Sequence, residues 1–297
     1  MTTSSSASST RSVTITALNV YPVKSCAGIA LQRAQLTATG FTHDREWMIV
    51  QPNGRFVTQR ESPSLALIRT AVQDGTLVLE APESGSVRVD AGHGGPSIEV
   101  SIFNETYRGI DAGDGVARWL ERYLGRPHRL VRFDKSAPRA SSAKWTAGIE
   151  ALNQFSDGFP WLLISEASLA DLNRRLEQPL PMNRFRPNIV VAGLEAYEED
   201  RVAALSSPIV ALHPVKPCTR CVITTTDQRT GARDGEEPLR TLRTFRFDRE
   251  LRGVAFGQNV IASRGIGEWL EVGQQLAVQH KKTASTDSPS PAKAGEG

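Results

Sequence analysis

Short segments of alternating or β-branched apolar residues, each closed by a turn signal, recur along most of this chain. Residues 13–21 end at Pro22, and residues 45–50 lead into a Pro-Asn-Gly turn at 52–54. Alternation of this kind buries one face of a strand, while Pro, Asn and Gly favour the turns between strands. The pattern therefore restricts the chain to a strand-rich fold.

Local signals also predict hairpins and two helices. The 52–54 turn predicts a hairpin between residues 45–50 and 55–58, and a further tight turn is expected at Asp74-Gly75. Helical spacing covers residues 114–124 before Gly125, and residues 165–176 after a capping Ser165 or Ser168. The sequence thus predicts a β-rich α+β fold.

The chain divides at a polar connection. Residues 133–154 are rich in Ser, Lys and Arg, so we expect one strand-rich part before this stretch and a second after it. The ends, 1–11 and 281–297, are polar and have little to bury, which predicts a disordered arm and a disordered tail.

Bulk properties exclude several classes of protein. The formal charge of +3 over 297 residues, with scattered Lys and Arg, argues against nucleic acid as a partner. No run of about 18 apolar residues exists, so no integral membrane segment is expected. Residues 1–11 lack the apolar core of a secretory signal. Three cysteines do not make a disulfide scaffold, so we expect a cytoplasmic protein.

Two of the three cysteines, Cys218 and Cys221, are separated by Thr-Arg and follow Lys216. Neighbouring cations favour the thiolate, which attacks electrophiles or binds soft metals. A redox pair would need a helix start, yet the β-branched run after Cys221 predicts a strand. A zinc site would need four ligands, for which only Cys26 and a few His remain. Two buried structural cysteines are also possible, although the flanking cations fit that interpretation poorly.

Cationic residues also mark loops elsewhere. Lys24 and Ser25 follow a predicted strand and Arg45 begins another, while Arg184, Arg186 and Asn188 would share one face of an extended segment. Such groups suit a phosphate or another multi-oxygen anion. Alternatively, Lys24 is simply solvated and the two later arginines pair with acidic residues at 195, 198 and 199. Taken with a thiolate, the set fits a cysteine-ligated cofactor that carries a phosphate.

Several of these motifs together resemble the MOSC superfamily, and within it the mitochondrial amidoxime-reducing component family and its bacterial relatives. They occur in family order over about residues 12–280. The matching segments are 21–28 (Tyr-Pro-Val-Lys-Ser-Cys-Ala-Gly), 44–47 (Asp-Arg-Glu-Trp), 163–173, 184–190 (Arg-Phe-Arg-Pro-Asn-Ile-Val), 218–227 and 256–258 (Phe-Gly-Gln).

The resemblance implies an N-terminal MOSC-associated β-barrel domain over 12–133 and a MOSC β-barrel domain over 134–280. A molybdenum cofactor, Mo-molybdopterin, would lie between them, with Cys221 as the catalytic thiolate and metal ligand and Cys218 nearby without ligating. The implied cofactor-binding residues are Lys24, Ser25, Arg45, Asp157, Gly158, Phe159, Arg186, Asn188 and Arg220. Gly158 and Phe159 depart from the small hydroxyl residues usual there.

The resemblance further implies reduction of small N-hydroxylated substrates, with electrons from a separate donor protein. No cysteine follows Cys221, so we expect no iron–sulfur cluster of the kind that some bacterial relatives carry. Asp227 is a candidate general acid or a turn-capping residue. The alternative is a sulfur carrier or a cofactor-handling protein that uses a cysteine persulfide. Convergence of Lys24, Arg45, Arg186 and Arg220 on Cys221 would favour the enzyme.

Overall fold

The computed structural model describes residues 11–233 and 235–282. The segments predicted to be disordered, 1–11 and 281–297, lie outside the described residues except for Arg11, Lys281 and Lys282. Arg11 is paired with Glu198, and Lys281 donates to the carbonyl of Asp200. These contacts anchor both residues to the folded part of the chain. Within the described residues, no helix is long and apolar enough to cross a membrane.

Strands dominate the described residues. The first eleven are β1 (Ser12–Val20), β2 (Ile29–Leu31), β3 (Arg33–Thr37), β4 (Gly40–Phe41), β5 (Trp47–Val50), β6 (Arg69–Gln73), β7 (Thr76–Ala81), β8 (Gly85–Asp90), β9 (Ser97–Ile102), β10 (Glu105–Asp111) and β11 (Arg129–Phe133). The remaining ten are β12 (Arg139–Ala140), β13 (Leu152–Asn153), β14 (Trp161–Ser165), β15 (Ile189–Ala192), β16 (Val202–Ser206), β17 (Ala211–Thr219), β18 (Phe247–Asp248), β19 (Gly253–Arg264), β20 (Trp269–Glu271) and β21 (Gln275–His280).

The α-helices in this part of the chain are α1 (Asp114–Leu124), α2 (Ala143–Thr146), α3 (Glu166–Arg174) and α4 (Leu239–Phe245). Both predicted helices are confirmed. Gly125 ends α1 in the left-handed conformation and donates its N–H to the Glu121 carbonyl. Ser165 caps α3 by accepting the N–H of Ser168. Helix α4 and the short elements β12, α2 and β13 within the predicted 133–154 connection were not anticipated.

Seven strands close into a barrel in the order β14-β15-β1-β21-β16-β17-β19, and β19 pairs back onto β14. The β14–β15 pair is parallel and the other barrel pairs are antiparallel. Alternating side chains of these strands fill the interior with a continuous apolar core. The strand-rich fold class predicted from the sequence is thus confirmed.

Strand β1 comes from the start of the chain, yet it lies between β15 and β21 of the barrel. Strand β3 likewise pairs with β20 near the end of the chain. The proposed boundary between residues 133 and 134 remains a prediction. Wherever it lies, the N-terminal segment completes the C-terminal barrel.

The rest of the N-terminal half contains a four-stranded sheet, β5-β11-β10-β9, and a three-stranded sheet, β6-β7-β8. Strand β5 is buried on both faces: Trp47 and Ile49 face a core shared with α1, while Met48 and Val50 face a second core. The predicted hairpin after β5 forms, but its return is limited to a single bridge between Val50 and Phe56.

Strand pairing brings three loops to one end of the barrel. Leu18 of β1 pairs with Ile189 of β15, and Leu163 of β14 lies opposite Ile189 on the other side. The loop after β1 therefore lies beside the loops that precede β14 and β15. The C-terminal end of β17 reaches the same region through β19, where Pro217 lies opposite Gln258.

Candidate active site

A cleft opens between the N-terminal half and the barrel. Its walls include every residue predicted for the site except Gly158. These lining residues are Lys24, Ser25, Arg45, Asp157, Phe159, Arg186, Asn188, Arg220 and Cys221. The residues come from five separate loops, so the fold brings together groups that are up to 197 positions apart in the sequence.

Lys24, Arg45, Arg186 and Asn188 form what we call the inner wall. The Lys24 ammonium, which is buried, donates to the Phe155 carbonyl at 2.8 Å and pairs with Asp157. Desolvation lowers the pKa of Lys24, and the carboxylate of Asp157 opposes that change. For Asp157, desolvation is outweighed by the charge of Lys24, so its pKa lies below the usual range.

Asn188 joins two parts of the inner wall. Its side-chain oxygen accepts from the Arg45 guanidinium at 2.8 Å and from the Leu162 N–H at 3.2 Å, and its amide nitrogen donates to the Asn19 carbonyl. Arg45 also pairs with the buried carboxylate of Asp44 at 2.5 Å. Asn188 is 1% exposed, so its hydrogen bonds fix the position of Arg45 rather than reach solvent.

The Tyr21 ring lies beside two cations of the inner wall, Arg45 and Arg186. The guanidinium carbons of Arg45 and Arg186 lie 4.3 and 4.2 Å from the Tyr21 ring centroid, a cation–π arrangement. Arg186 also donates to the Cys26 carbonyl at 2.6 Å. Burial lowers the pKa of Arg186 to about 10 and raises the pKa of the Tyr21 phenol to about 12. Both groups therefore keep their usual charge at neutral pH.

Backbone strain accompanies this geometry. Ser25, Arg45 and Arg186 have φ values of 68°, 47° and 55°, in the left-handed region that non-glycine residues rarely occupy. Each such residue costs on the order of 1 kcal/mol and persists only where surrounding contacts enforce it. Three strained residues along one cleft are typical of a functional site.

Cys218, Arg220, Cys221 and Arg60 form what we call the outer rim. Each thiol contacts one guanidinium: Arg60 reaches Cys221 Sγ at 3.5 Å, and Arg220 reaches Cys218 Sγ at 2.9 Å. Both sulfurs are partly accessible and free. Cys26 differs, because its burial raises the pKa of the thiol to about 12 and keeps it protonated.

Two local predictions around the rim were wrong. The β-branched run after Cys221 is a 3₁₀ helix over Val222–Thr225, with Cys221 as its N-cap residue. Arg184 does not face the cleft beside Arg186, because it ends a 3₁₀ helix at Met182–Arg184 and bonds the Thr225 carbonyl and Asp227.

Two of the three acidic residues suggested as alternative arginine partners are engaged elsewhere. Glu198 pairs with Arg11 and His280, while Glu199 accepts from Ser168. Asp227 does not line the cleft: it accepts the N–H groups of Arg229 and Thr230, and these bonds lower the pKa of its carboxyl. Asp227 is thus a turn-capping residue here and is not positioned as a general acid.

Gly158 lies next to the cleft without lining it, and its carbonyl accepts from the Asn153 amide at 3.4 Å. Sequence reasoning missed several lining residues. They are Thr58, Arg60, Trp161, Leu162, Phe185, Thr219, Ile223, Thr224 and Asn259. Cys218, which was expected near the metal, also lines the cleft, as does Ser156. For Arg60 the only sequence signal was a cation just after the predicted hairpin.

The cleft is strongly cationic. Five of its lining side chains are Lys or Arg and one is Asp, which gives a net formal charge of +4. Within residues 11–233 and 235–282, no group of three His, Cys, Asp or Glu side chains is placed to hold a metal ion. A metal bound at Cys221 would therefore have to bring further ligands with it.

Comparison with known proteins identifies the family. Residues 12–127 match the MOSC N-terminal beta barrel domain, and residues 151–277 match the MOSC domain. The chain is a member of the MOSC family. Its curated MOSC relatives include mitochondrial amidoxime reducing component 2 of Rattus norvegicus, 37% identical over 276 residues that cover 86% of this chain and 82% of the relative.

Other MOSC relatives agree. Mitochondrial amidoxime-reducing component 1 of Mus musculus is 36% identical over 93% of this chain and 81% of its own length. The corresponding protein of Homo sapiens is 35% identical over 82% of this chain and 77% of its own length. Most of this chain is therefore similar to proteins named for amidoxime reduction.

Proposed function

We propose that this protein is a molybdenum-cofactor-dependent oxidoreductase that reduces N-hydroxylated compounds. The observation that supports this most is the convergence of Cys221 with Lys24, Arg45, Arg186 and Arg220 on one cleft. A thiol and an anion-binding wall in one site suit a cofactor with a metal at one end and a phosphate at the other. The names of the MOSC relatives supply the class of substrate.

The chemistry of the cleft fits such a cofactor. Its net positive charge would be partly neutralised by a phosphate. The buried Nε of Arg220 and Nε1 of Trp161 have no hydrogen-bond partner within the described residues. Unpaired buried donors are costly and are normally satisfied by a ligand or water. When bound, the cofactor would supply the two-electron chemistry that removes oxygen from an N–O group.

Each group of residues then has a distinct task. Cys221 would ligate molybdenum through a soft thiolate, which suits that metal. Arg186 and Arg220 would bind the phosphate and pterin, with Lys24, Ser25 and the 157–159 turn contributing further contacts. Arg45 and Asn188 hold one another by hydrogen bonds, so they would keep the inner wall in place before binding.

Electrons would come from a separate carrier protein, since the three cysteines of this chain are too few for an iron–sulfur cluster beside a metal ligand. A cytoplasmic location also stays a prediction. It rests on the free state of Cys26, Cys218 and Cys221, which suits a reducing compartment.

A sulfur carrier that uses a persulfide is the other candidate. Such a carrier needs an accessible thiol but no anion-binding wall. The cationic cleft beside Cys221 and the strained residues that build it therefore favour the oxidoreductase.

Metal and pterin analysis tests the proposal directly. We expect wild-type protein from a cofactor-competent host to contain equimolar molybdenum and to reduce benzamidoxime with a chemical electron donor. Cys221→Ser should keep the pterin and lose reduction, whereas the matched control Cys218→Ser should retain molybdenum. Absence of molybdenum from the wild type would refute the enzyme, and full activity in Cys221→Ser would refute the ligand assignment.

A further inference from the structure

Arg60 is a cation of the outer rim that forms no ion pair with any described residue, although the charge of Asp157 lies near enough to interact with it. Among the residues that the structure describes, no carboxylate lies within ion-pair distance of its guanidinium, whereas Lys24 and Arg45 each pair with an aspartate. Its guanidinium contacts Cys221 Sγ at 3.5 Å. Any group held near that sulfur would therefore lie close to an unpaired positive charge.

The backbone under Arg60 is tightly held. The Arg233 guanidinium donates to the carbonyls of both Gln59 and Arg60, and the Arg60 N–H donates to Thr58 Oγ1 at 3.1 Å. The Gln59 and Gln228 side chains exchange two amide hydrogen bonds, at 3.1 and 3.0 Å. These contacts join the Arg60 loop to the segment after Cys221, so the backbone that carries the cation is fixed before a ligand arrives.

An exposed aromatic ring lies beside this cation. Phe103 is 51% exposed, and its centroid lies 5.4 Å from the Arg60 guanidinium carbon. The ring also meets Phe56 edge-on at 5.2 Å. Its φ of 54° is strained for a phenylalanine, so the turn between β9 and β10 holds an apolar ring in solvent at a conformational cost.

We propose that Arg60 and Phe103, which we call the lip, select aromatic N-hydroxylated substrates that carry a negatively charged substituent. This inference rests on the proposed function. The fixed guanidinium would bind a carboxylate through a charge-assisted hydrogen bond, and the Phe103 ring would contact the substrate's aromatic ring. The lip belongs to the N-terminal half, so that half would contribute to substrate choice as well as to the cofactor wall.

Relative kcat/KM values for three benzamidoximes test the lip: the unsubstituted compound, its para-carboxylate and its para-trimethylammonium derivative. We expect Arg60→Gln to lower the preference for the carboxylate over the neutral compound about tenfold, as loss of one charge-assisted contact implies. Arg60→Lys should restore part of that preference. Arg55→Gln, which removes an exposed charge from the same loop, should leave it unchanged.

Ionic strength gives a readout that a merely structural role would not change. The wild-type preference for the carboxylate should shrink as salt is raised, because partly exposed charges are screened, while Arg60→Gln should show little salt dependence. Equal molybdenum contents in the two proteins would confirm that the cofactor is undisturbed. An unchanged carboxylate preference in Arg60→Gln would refute the role of the lip in substrate selection.

Calorimetric binding of the carboxylated benzamidoxime separates the lip from the proposed function, because it needs no turnover. Suppose that wild-type protein reduces no N-hydroxylated compound but binds this probe more tightly than Arg60→Gln does. The proposed function is then wrong, and the assignment of the lip as a binding site for carboxylated aromatic compounds is supported. If reduction is normal but Arg60→Gln binds and turns over the probe like the wild type, the lip fails and the proposed function stands.

Discussion

The inner wall and the outer rim of the cleft both contain cations, but these cations have different partners. In the inner wall, Lys24 and Arg45 are paired with aspartates, and Asn188 is bonded to three partners. In the outer rim, Arg60 and Arg220 face thiols and no carboxylate among the described residues. Lys24 and Arg45 of the inner wall are therefore compensated by aspartates. Arg186 and the two rim cations form no ion pair among the described residues and are left to be compensated by whatever binds.

This difference follows from burial. A charge removed from water must be paired or hydrogen-bonded, and breaking such a pair is strongly destabilising. The inner wall is consequently part of the folding core of the molecule. The partly exposed rim can keep unpaired cations at little cost, so changes there should affect ligands more than stability.

Asn188→Ala should break the inner wall with the largest effect. The substitution removes three buried hydrogen bonds, from the Leu162 N–H, to the Asn19 carbonyl and from the Arg45 guanidinium, which keeps only its bonds to Asp44 and the Arg186 carbonyl. It should therefore lower the free energy of unfolding by about 3 kcal/mol. Urea unfolding measures the loss, and pterin content should fall with it. Asn259→Ala, at a half-buried position in the same cleft, should cost about 1 kcal/mol. Equal losses of free energy of unfolding in Asn188→Ala and Asn259→Ala would contradict the conclusion that the inner wall is part of the folding core.

Asp157→Asn should weaken the inner wall moderately and in a pH-dependent way. The pKa of Asp157 is lowered in the folded state, so its ionised form stabilises the fold above the ordinary carboxyl pKa, and this stabilisation is lost as pH falls through the lowered value. Because the carboxylate is 66% exposed and its charge is screened by solvent, we expect Asp157→Asn to lower the free energy of unfolding by about 1 kcal/mol at neutral pH.

Unfolding curves for wild type and Asp157→Asn measured from neutral pH downward test this. The difference in free energy of unfolding between the two proteins should be constant from neutral pH down to about pH 4, the ordinary aspartate range, and should shrink below it. Glu268→Gln, at an exposed position without an ion pair among the described residues, should show no such trend. A difference that grew on acidification would contradict the assigned pairing.

Local features of this fold were predictable from the sequence, and distant pairings were not. Helix α1 has the predicted bounds because its apolar spacing and Gly125 are local signals. The position of β1 between β15 and β21 was not predictable, since its partners lie more than 170 residues away. Arg60 was missed for the same reason, because its importance depends on Cys221 approaching it through the barrel.

The Val222–Thr225 segment shows how side chains override propensity. Its β-branched residues predicted a strand, yet the hydroxyls of Thr224 and Thr225 donate to the carbonyls of Cys221 and Val222. Such local bonds offer the backbone an alternative to a sheet, so the chain turns directly after Cys221. Nearly all the residues selected by the resemblance to the MOSC family line the cleft, although many other lining residues were not selected. Only the structure separated the roles of wall and rim.

Phe103→Ala should have the smallest effect and tests whether the lip can be changed without loss of stability. Because the ring is half exposed, the free energy of unfolding should change by less than about 0.5 kcal/mol. The KM for benzamidoxime should rise about threefold through loss of an aromatic contact, while the KM for an aliphatic amidoxime should not change. Phe247→Ala, at a similarly exposed ring away from the cleft, is the control. A clear loss of stability, or equal KM increases for both substrates, would mean that Phe103 supports the fold rather than the substrate.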